Sequence, residues 1–124
     1  MSVRAKGRNF RDLKVWEKSH RLTLETYRAT TTFPRDGMFG LTSQIRRAAS
    51  SVPANIVEGC GRGGGDLTRF CHIAAGSASE LQYHLLLAHD LELLDLSTYD
   101  RLEQQATEVE RMLAAFIDKL AASG

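Results

Sequence analysis

The segment from Leu41 to Arg62, LTSQIRRAASSVPANIVEGCGR, constrains the fold more than any other part of the chain because it carries two stripes at helical spacing. Leu41, Ile45, Ala48, Ala49, Val52 and Ile56 form the apolar stripe of a core-facing helix. Beside it Gln44, Arg47, Ser51, Asn55, Glu58 and Arg62 follow one another at steps of three or four and line a second, adjacent face. A solvated helix face is commonly rich in Lys and Glu. Gln, Arg, Ser and Asn make directional hydrogen bonds instead, so this face is expected to have a partner.

The rest of the chain limits what that partner can be. At 124 residues it has the size of one domain with a real core, and 43% hydrophobic and 25% charged residues suit a soluble globular protein. Only two prolines leave room for long helices. No apolar run reaches the length of a membrane span and MSVRAKGRNF lacks the apolar block of a signal peptide, so the expected compartment is the cytoplasm. Cys60 and Cys71 are too few for a disulfide framework and read as small packing residues.

Four helical segments separated by three turn signals account for nearly every residue, and no strand alternation occurs. The first is expected from about Arg11 to Thr31, with Leu13, Trp16, His20, Leu24 and Tyr27 on one face and His20 as a packed core histidine. Phe33-Pro34 stops it, and Arg35, Asp36, Gly37 and Gly40 turn the chain. Pro53 lies inside the second helix and crowds the carbonyl of Ala49, predicting a kink there rather than a break. A flexible glycine turn follows from Gly59 to Gly65, and Asp66 is placed to cap the third helix. That helix runs to about Leu94, with Leu67, Phe70, Ala74, Ser77, Leu81, Leu85, Ala88 and Leu91 on its buried face and a run of small residues from Ala74 to Ser79. Ser97 and Asp100 resemble a capping box for the last helix, whose inward positions are Leu102, Val109, Met112, Leu113, Phe116, Ile117 and Leu120. Short connections make sequential neighbours antiparallel. The expected fold is therefore all-α, an up-down-up-down four-helix bundle over residues 10–122, preceded by a flexible basic arm at 1–9.

In a hairpin of helices two and three, facing residue numbers sum to about 128 if the turn is centred near Gly64. Ser51 then meets Ser77, Arg47 meets Glu80, Gln44 meets His84, and Glu58 meets Arg69 or Phe70. The stripe reads as an interhelical polar network, as a contact between subunits, or as a small site. Catalytic and metal patterns are missing. A carboxylate-bridged metal bundle needs Glu-x-x-His pairs, and the nearest match, Glu80 to His84, is one residue too long. Cys71 and His72 project from different helix faces, the wrong geometry for an activated thiol. The glycine run lacks the Lys-Ser/Thr pair and preceding strand of a phosphate-binding loop. No cofactor is expected.

Charge is divided along the chain. Residues 1–70 hold thirteen Lys and Arg against six Asp and Glu, a balance of +7, and residues 71–124 hold three against nine, a balance of −6. Such halves neutralise each other within one molecule or pair head to tail between copies.

Phe10, Asp12, Leu13, Val15 and Trp16, then LTSQIRRAASSVPANIVEGCGR, then FCHIAAGSASELQYHL from Phe70 to Leu85 together carry a family resemblance. The chain resembles, over roughly Phe10 to Leu120, the four-helix bundle proteins first recognised as products of intervening sequences in bacterial large-subunit ribosomal RNA genes. It departs from the family pattern at Val57 and Cys60, where Ala and an aromatic are common, a matter of fine packing. The resemblance implies the bundle fold, a ring-shaped homopentamer and no established enzyme activity, with an RNA or DNA role inferred mainly from gene location. The expectation is a non-enzymatic homo-oligomer that touches nucleic acid through Arg4, Lys6, Arg8, Arg11 and Arg46 and has no membrane partner. The alternative is a small anionic ligand binder or enzyme built on Arg47, Asn55, Glu58, Arg62 and Glu80 around Pro53.

Overall fold

A computed structural model of the chain describes residues 9–34 and 40–123. A single 3-10 turn, Phe10–Asp12, leads into α1 (Lys14–Ala29), followed by α2 (Leu41–Arg62), α3 (Gly65–Asp90) and α4 (Leu96–Ser123). Each helix packs on the next, and α1 also packs on α4 while making no contact with α3. The product is an up-down-up-down four-helix bundle, with α1 and α3 at diagonal corners and no strand among the described residues.

The core is built most heavily between α2 and α3. Ile45, Val52 and Ile56 of α2, Leu81 and Leu85 of α3 and Leu102 and Leu113 of α4 join one cluster, all fully buried. Small residues interleave them. Ala48, Ala49, Ala74, Ala78, Ala88 and Ala106 are buried and let helices approach closely. Phe70 and Ser77, expected on α3's buried face, are half-buried, while Cys71 and Ala78 lie deeper and Leu91 is exposed.

The inward face of α1 differs from the one its apolar residues suggest. Val15, Ser19, Leu22, Thr23 and Thr26 are buried, whereas His20 is exposed and Leu24 and Tyr27 remain 41% and 40% exposed. His20 is therefore not a core histidine; it stacks on Trp16 at the surface, ring centroids 5.0 Å apart. Hydroxyls can replace hydrocarbon inside because each donates to a carbonyl. Ser19 bonds to Trp16, Thr26 to Leu22 and Thr30 to Thr26, at 2.8 to 3.0 Å. Thr23 does more, since its Oγ1 lies 2.8 Å from the Ser19 carbonyl and 3.0 Å from that of Ala49 on α2. Ala49 is the residue whose helical partner would be the N–H that Pro53 lacks. The α1 hydroxyl, its one hydrogen shared between the Ser19 and Ala49 carbonyls, stands where that donor would be, and α2 continues as helix through Pro53.

The connections are tighter than their composition suggests. Gly59 and Gly61 belong to α2, and the reversal is confined to Gly63 and Gly64, at φ of 71° and 57°. Gly59 serves close packing, for a Cβ there would stand 3.0 Å from both Leu67 Cδ1 and Phe70 Cβ. Asp66 is not the cap of α3. It lies in the first turn after Gly64 and pairs with Arg62 and Arg69 at 3.6 and 3.5 Å. The cap of α4 is Asp95, whose Oδ1 accepts the Thr98 N–H at 2.7 Å, in place of the Ser97 and Asp100 box. The expected turn residues Arg35, Asp36 and Gly37 lie outside the described residues.

Thr23→Val, which keeps the shape and removes the donor to Ala49, is expected to cost about 1–3 kcal/mol in urea unfolding. Thr26→Val should cost clearly less, because its hydroxyl only reinforces a carbonyl already used by its own helix. Gly59→Ala is expected to destabilise by about 1–3 kcal/mol despite alanine's higher helix propensity. Gly61→Ala, with open space at its Cβ, should stabilise by up to about 1 kcal/mol.

Candidate functional site

The polar stripe of α2 meets α3 along a seam whose centre is half-buried and whose ends are charged. At the centre the Ser51 and Ser77 hydroxyls lie 2.8 Å apart, and Asn55 Nδ2 donates to the Ser51 carbonyl and Oγ at 2.8 and 2.9 Å. Toward one end Arg47 Nη2 donates to Glu80 Oε2 at 2.5 Å and to Gln44 Oε1 at 2.8 Å. His84 Nε2 approaches the same Glu80 oxygen at 3.1 Å. Gln44, Arg47, Glu80 and His84 thus form one connected chain of hydrogen bonds. The hydrogen bond from His84, reinforced by Arg47, holds the Glu80 carboxyl below the usual range against a smaller opposing effect of burial. His84 Nδ1 is buried without a hydrogen-bond partner among the described residues.

At the other end Glu58 does not reach Arg69. Arg62, one helical turn on, takes it at 2.9 Å, extends to Asp66 and lies over the Phe70 ring at 5.2 Å. The i,i+4 geometry within α2 supplies a nearer cation than the neighbouring helix does. All six polar-stripe residues are thereby tied to another member of the seam, and Arg62 links the last pair to the head of α3.

Among the described residues, clefts open elsewhere on the bundle. One, of about 460 Å³, is lined by Glu25, Arg28, Thr32, Leu94, Asp95 and Arg101. In it Glu25 accepts from Arg101 and Gln105, both at 3.1 Å; burial pushes its carboxyl up, but these hydrogen bonds prevail and hold it below the usual range. Another, about 350 Å³, lies between the start of α1 and Met112, Phe116 and Lys119 of α4. No α2 residue lines either cleft.

The outward flank of α1 is a surface that the sequence pattern assigned to the core. Phe10 meets Trp16 edge to face at 4.9 Å, Trp16 stacks on His20, and Leu24 and Tyr27 continue the line. Arginines border it. Arg11 lies over Phe10 at 4.6 Å and Arg46 over Tyr27 at 4.8 Å. Arg46 is further held by Thr30 Oγ1 at 2.9 Å and the Tyr27 carbonyl at 3.2 Å. The signal for this orientation was the second, equally regular stripe of Ser19, Thr23, Thr26 and Thr30. Of the basic residues expected at nucleic acid, Arg11 and Arg46 fall on this flank and stand at opposite ends of α1; Arg4, Lys6 and Arg8 lie outside the described residues.

No helix among the described residues is long and apolar enough to cross a membrane. Among curated proteins no match is found. A solved structure from Bacteroides thetaiotaomicron, described as a protein with unknown function from the S23 ribosomal protein family, is similar with a TM-score of 0.74 and 25% identity, over 83% of this chain and 97% of that one. The family model described as 23S rRNA-intervening sequence protein matches residues 11–115, from the 3-10 turn through most of α4. The chain belongs to the family of 23S rRNA-intervening sequence proteins.

Proposed function

We propose that this chain is a non-catalytic bundle that assembles with copies of itself, in the five-membered ring that the family resemblance implies, and acts through the surfaces it presents. The observation that carries this reading is the outer flank of α1, where Leu24 and Tyr27 stay 41% and 40% exposed beside a half-buried Trp16 while Ser19, Thr23 and Thr26 are buried. A helix gains most by burying its large apolar side chains. One that leaves them in line on its outer flank is built to be covered. One feature weighs against a ligand site or enzyme on the α2 stripe: its polar groups are spent on one another. The seam acts instead as a register lock between α2 and α3.

A second reading, contact with structured RNA, draws on Arg11 and Arg46, each lying over an aromatic ring on the same flank. Such binding is expected to weaken steeply as salt rises, and Arg11→Ala should reduce the salt slope by about one counterion. Absence of binding to structured RNA at low salt refutes it.

Sedimentation velocity at micromolar concentration should return a multiple of the 13.8 kDa chain mass, and a monomer there refutes assembly. Leu24→Asp is expected to leave the monomer folded and to weaken association about tenfold, the equivalent of losing about 1–2 kcal/mol of apolar burial. For the seam, Glu80→Gln should lower stability by less than about 1 kcal/mol at pH 7, as befits a partly exposed pair. Because the folded state depresses the Glu80 pKa, its contribution is present above the unfolded value, near 4.5, and is lost as pH falls through the folded one. The variant and wild type should therefore converge in stability below pH 4.5; a difference constant with pH assigns the loss to something other than the carboxylate.

A further inference from the structure

We propose that the surface receiving the α1 stripe is the outer face of α3 in the next copy, centred on Gly76. This rests on the assembly reading above and names the partner face. Gly76 stands near the middle of a 26-residue helix, is exposed, and a Cβ there would meet nothing within 4 Å. Nothing inside the subunit uses its lack of a side chain, although glycine weakens a helix interior. Around it Ile73, Tyr83 and Leu86 project into solvent, Tyr83 at 59% exposure, at helical steps of three and seven that keep them beside Gly76. The result is a saddle flanked by apolar walls, the counterpart of a ridge.

Three further observations select a second copy of this chain as the occupant. From Trp16 to Tyr27 the α1 ridge spans about 16 Å, and from Ile73 to Leu86 the saddle spans about 20 Å, so the lengths suit each other. Charge is complementary at the edges. Arg11 and Arg46 border the ridge with aromatic and neutral oxygen partners, while Glu110 and Glu103 lie beside the saddle, held by Ser79 and by Gln82 and Thr107. Neither pair has an opposite charge within salt-bridge distance among the described residues. Finally, α1 and α3 occupy diagonal corners and do not touch. A copy that offers its ridge leaves its own saddle free, so the contact is head to tail and generates a ring when the rotation closes.

The test combines a size measurement with cross-linking. Gly76→Leu should keep the subunit folded with native helicity by circular dichroism, since it fills open space on a helix, and should weaken assembly at least tenfold in sedimentation. In parallel, Leu24→Cys and Gly76→Cys proteins, each retaining the buried Cys60 and Cys71, are oxidised separately and mixed. Disulfide-linked dimers are expected in the mixture and in neither protein alone. Cross-linking of Leu24→Cys with itself shows a symmetric α1 contact and overturns the proposal. So does a wild-type assembly that Gly76→Leu leaves intact while the mixture fails to link. A monomeric wild type removes the assembly reading itself, and this inference with it.

Discussion

The carbonyl of Ala49 fixes the arrangement from which the rest of the molecule follows. Pro53 deprives it of its helical donor in a place that water does not reach, and a buried carbonyl left unpaired costs about 1–3 kcal/mol. The Thr23 hydroxyl satisfies it from α1. That single bond sets the rotation of α1, because a helix that turns Thr23 toward α2 also turns Ser19, Thr26 and Thr30 inward. These side chains are short, and α2 answers with Ala48 and Ala49, so the two helices meet through small groups. His20, Leu24 and Tyr27 are carried outward by the same rotation, and Trp16 is left half-buried at its edge.

The energetic burden is correspondingly uneven. Large buried hydrocarbons are concentrated on α2, α3 and α4, whereas α1 contributes only Val15 and Leu22 at full depth. Its remaining ties run to α4 through Lys18 to Glu108 and through Glu25 to Arg101 and Gln105, contacts at the surface and worth little singly. Covering the outer flank of α1 therefore adds apolar burial to the helix that has least of it. The proposed assembly would couple to the firmness of α1 for that reason.

Bundle architecture was legible from period and punctuation alone, since the apolar stripe of α2 is buried residue for residue and Ser51 faces Ser77 where a two-glycine reversal places it. The seam was legible because antiparallel register is arithmetic once the turn is located. The orientation of α1 was not. Hydrophobic periodicity assumes that the largest apolar side chains define the inside, and that assumption fails when a neighbour's proline requires a hydroxyl there. Caps were misplaced for a related reason. Asp66 is engaged by Arg62 and Arg69, and the positive-φ glycine pair ends α2 late enough that α3 starts without a side-chain cap. Local signals name candidates for a cap, and tertiary partners choose among them.

The glycines separate the two kinds of surface. Gly59 and Gly76 both interrupt good helix-forming sequence, and propensity treats them alike. Their surroundings do not, for the first is pressed against Leu67 and Phe70 while the second faces solvent between Ile73 and Tyr83. Close packing inside the subunit accounts for Gly59 completely and for Gly76 not at all. The proposed contact gives Gly76 a role on the face of α3 turned away from the core, where the subunit itself gives it none. The same logic holds for the stripe on α1. Two helices that do not touch each other thus share one property that the subunit leaves unused, and the proposed contact between copies accounts for both.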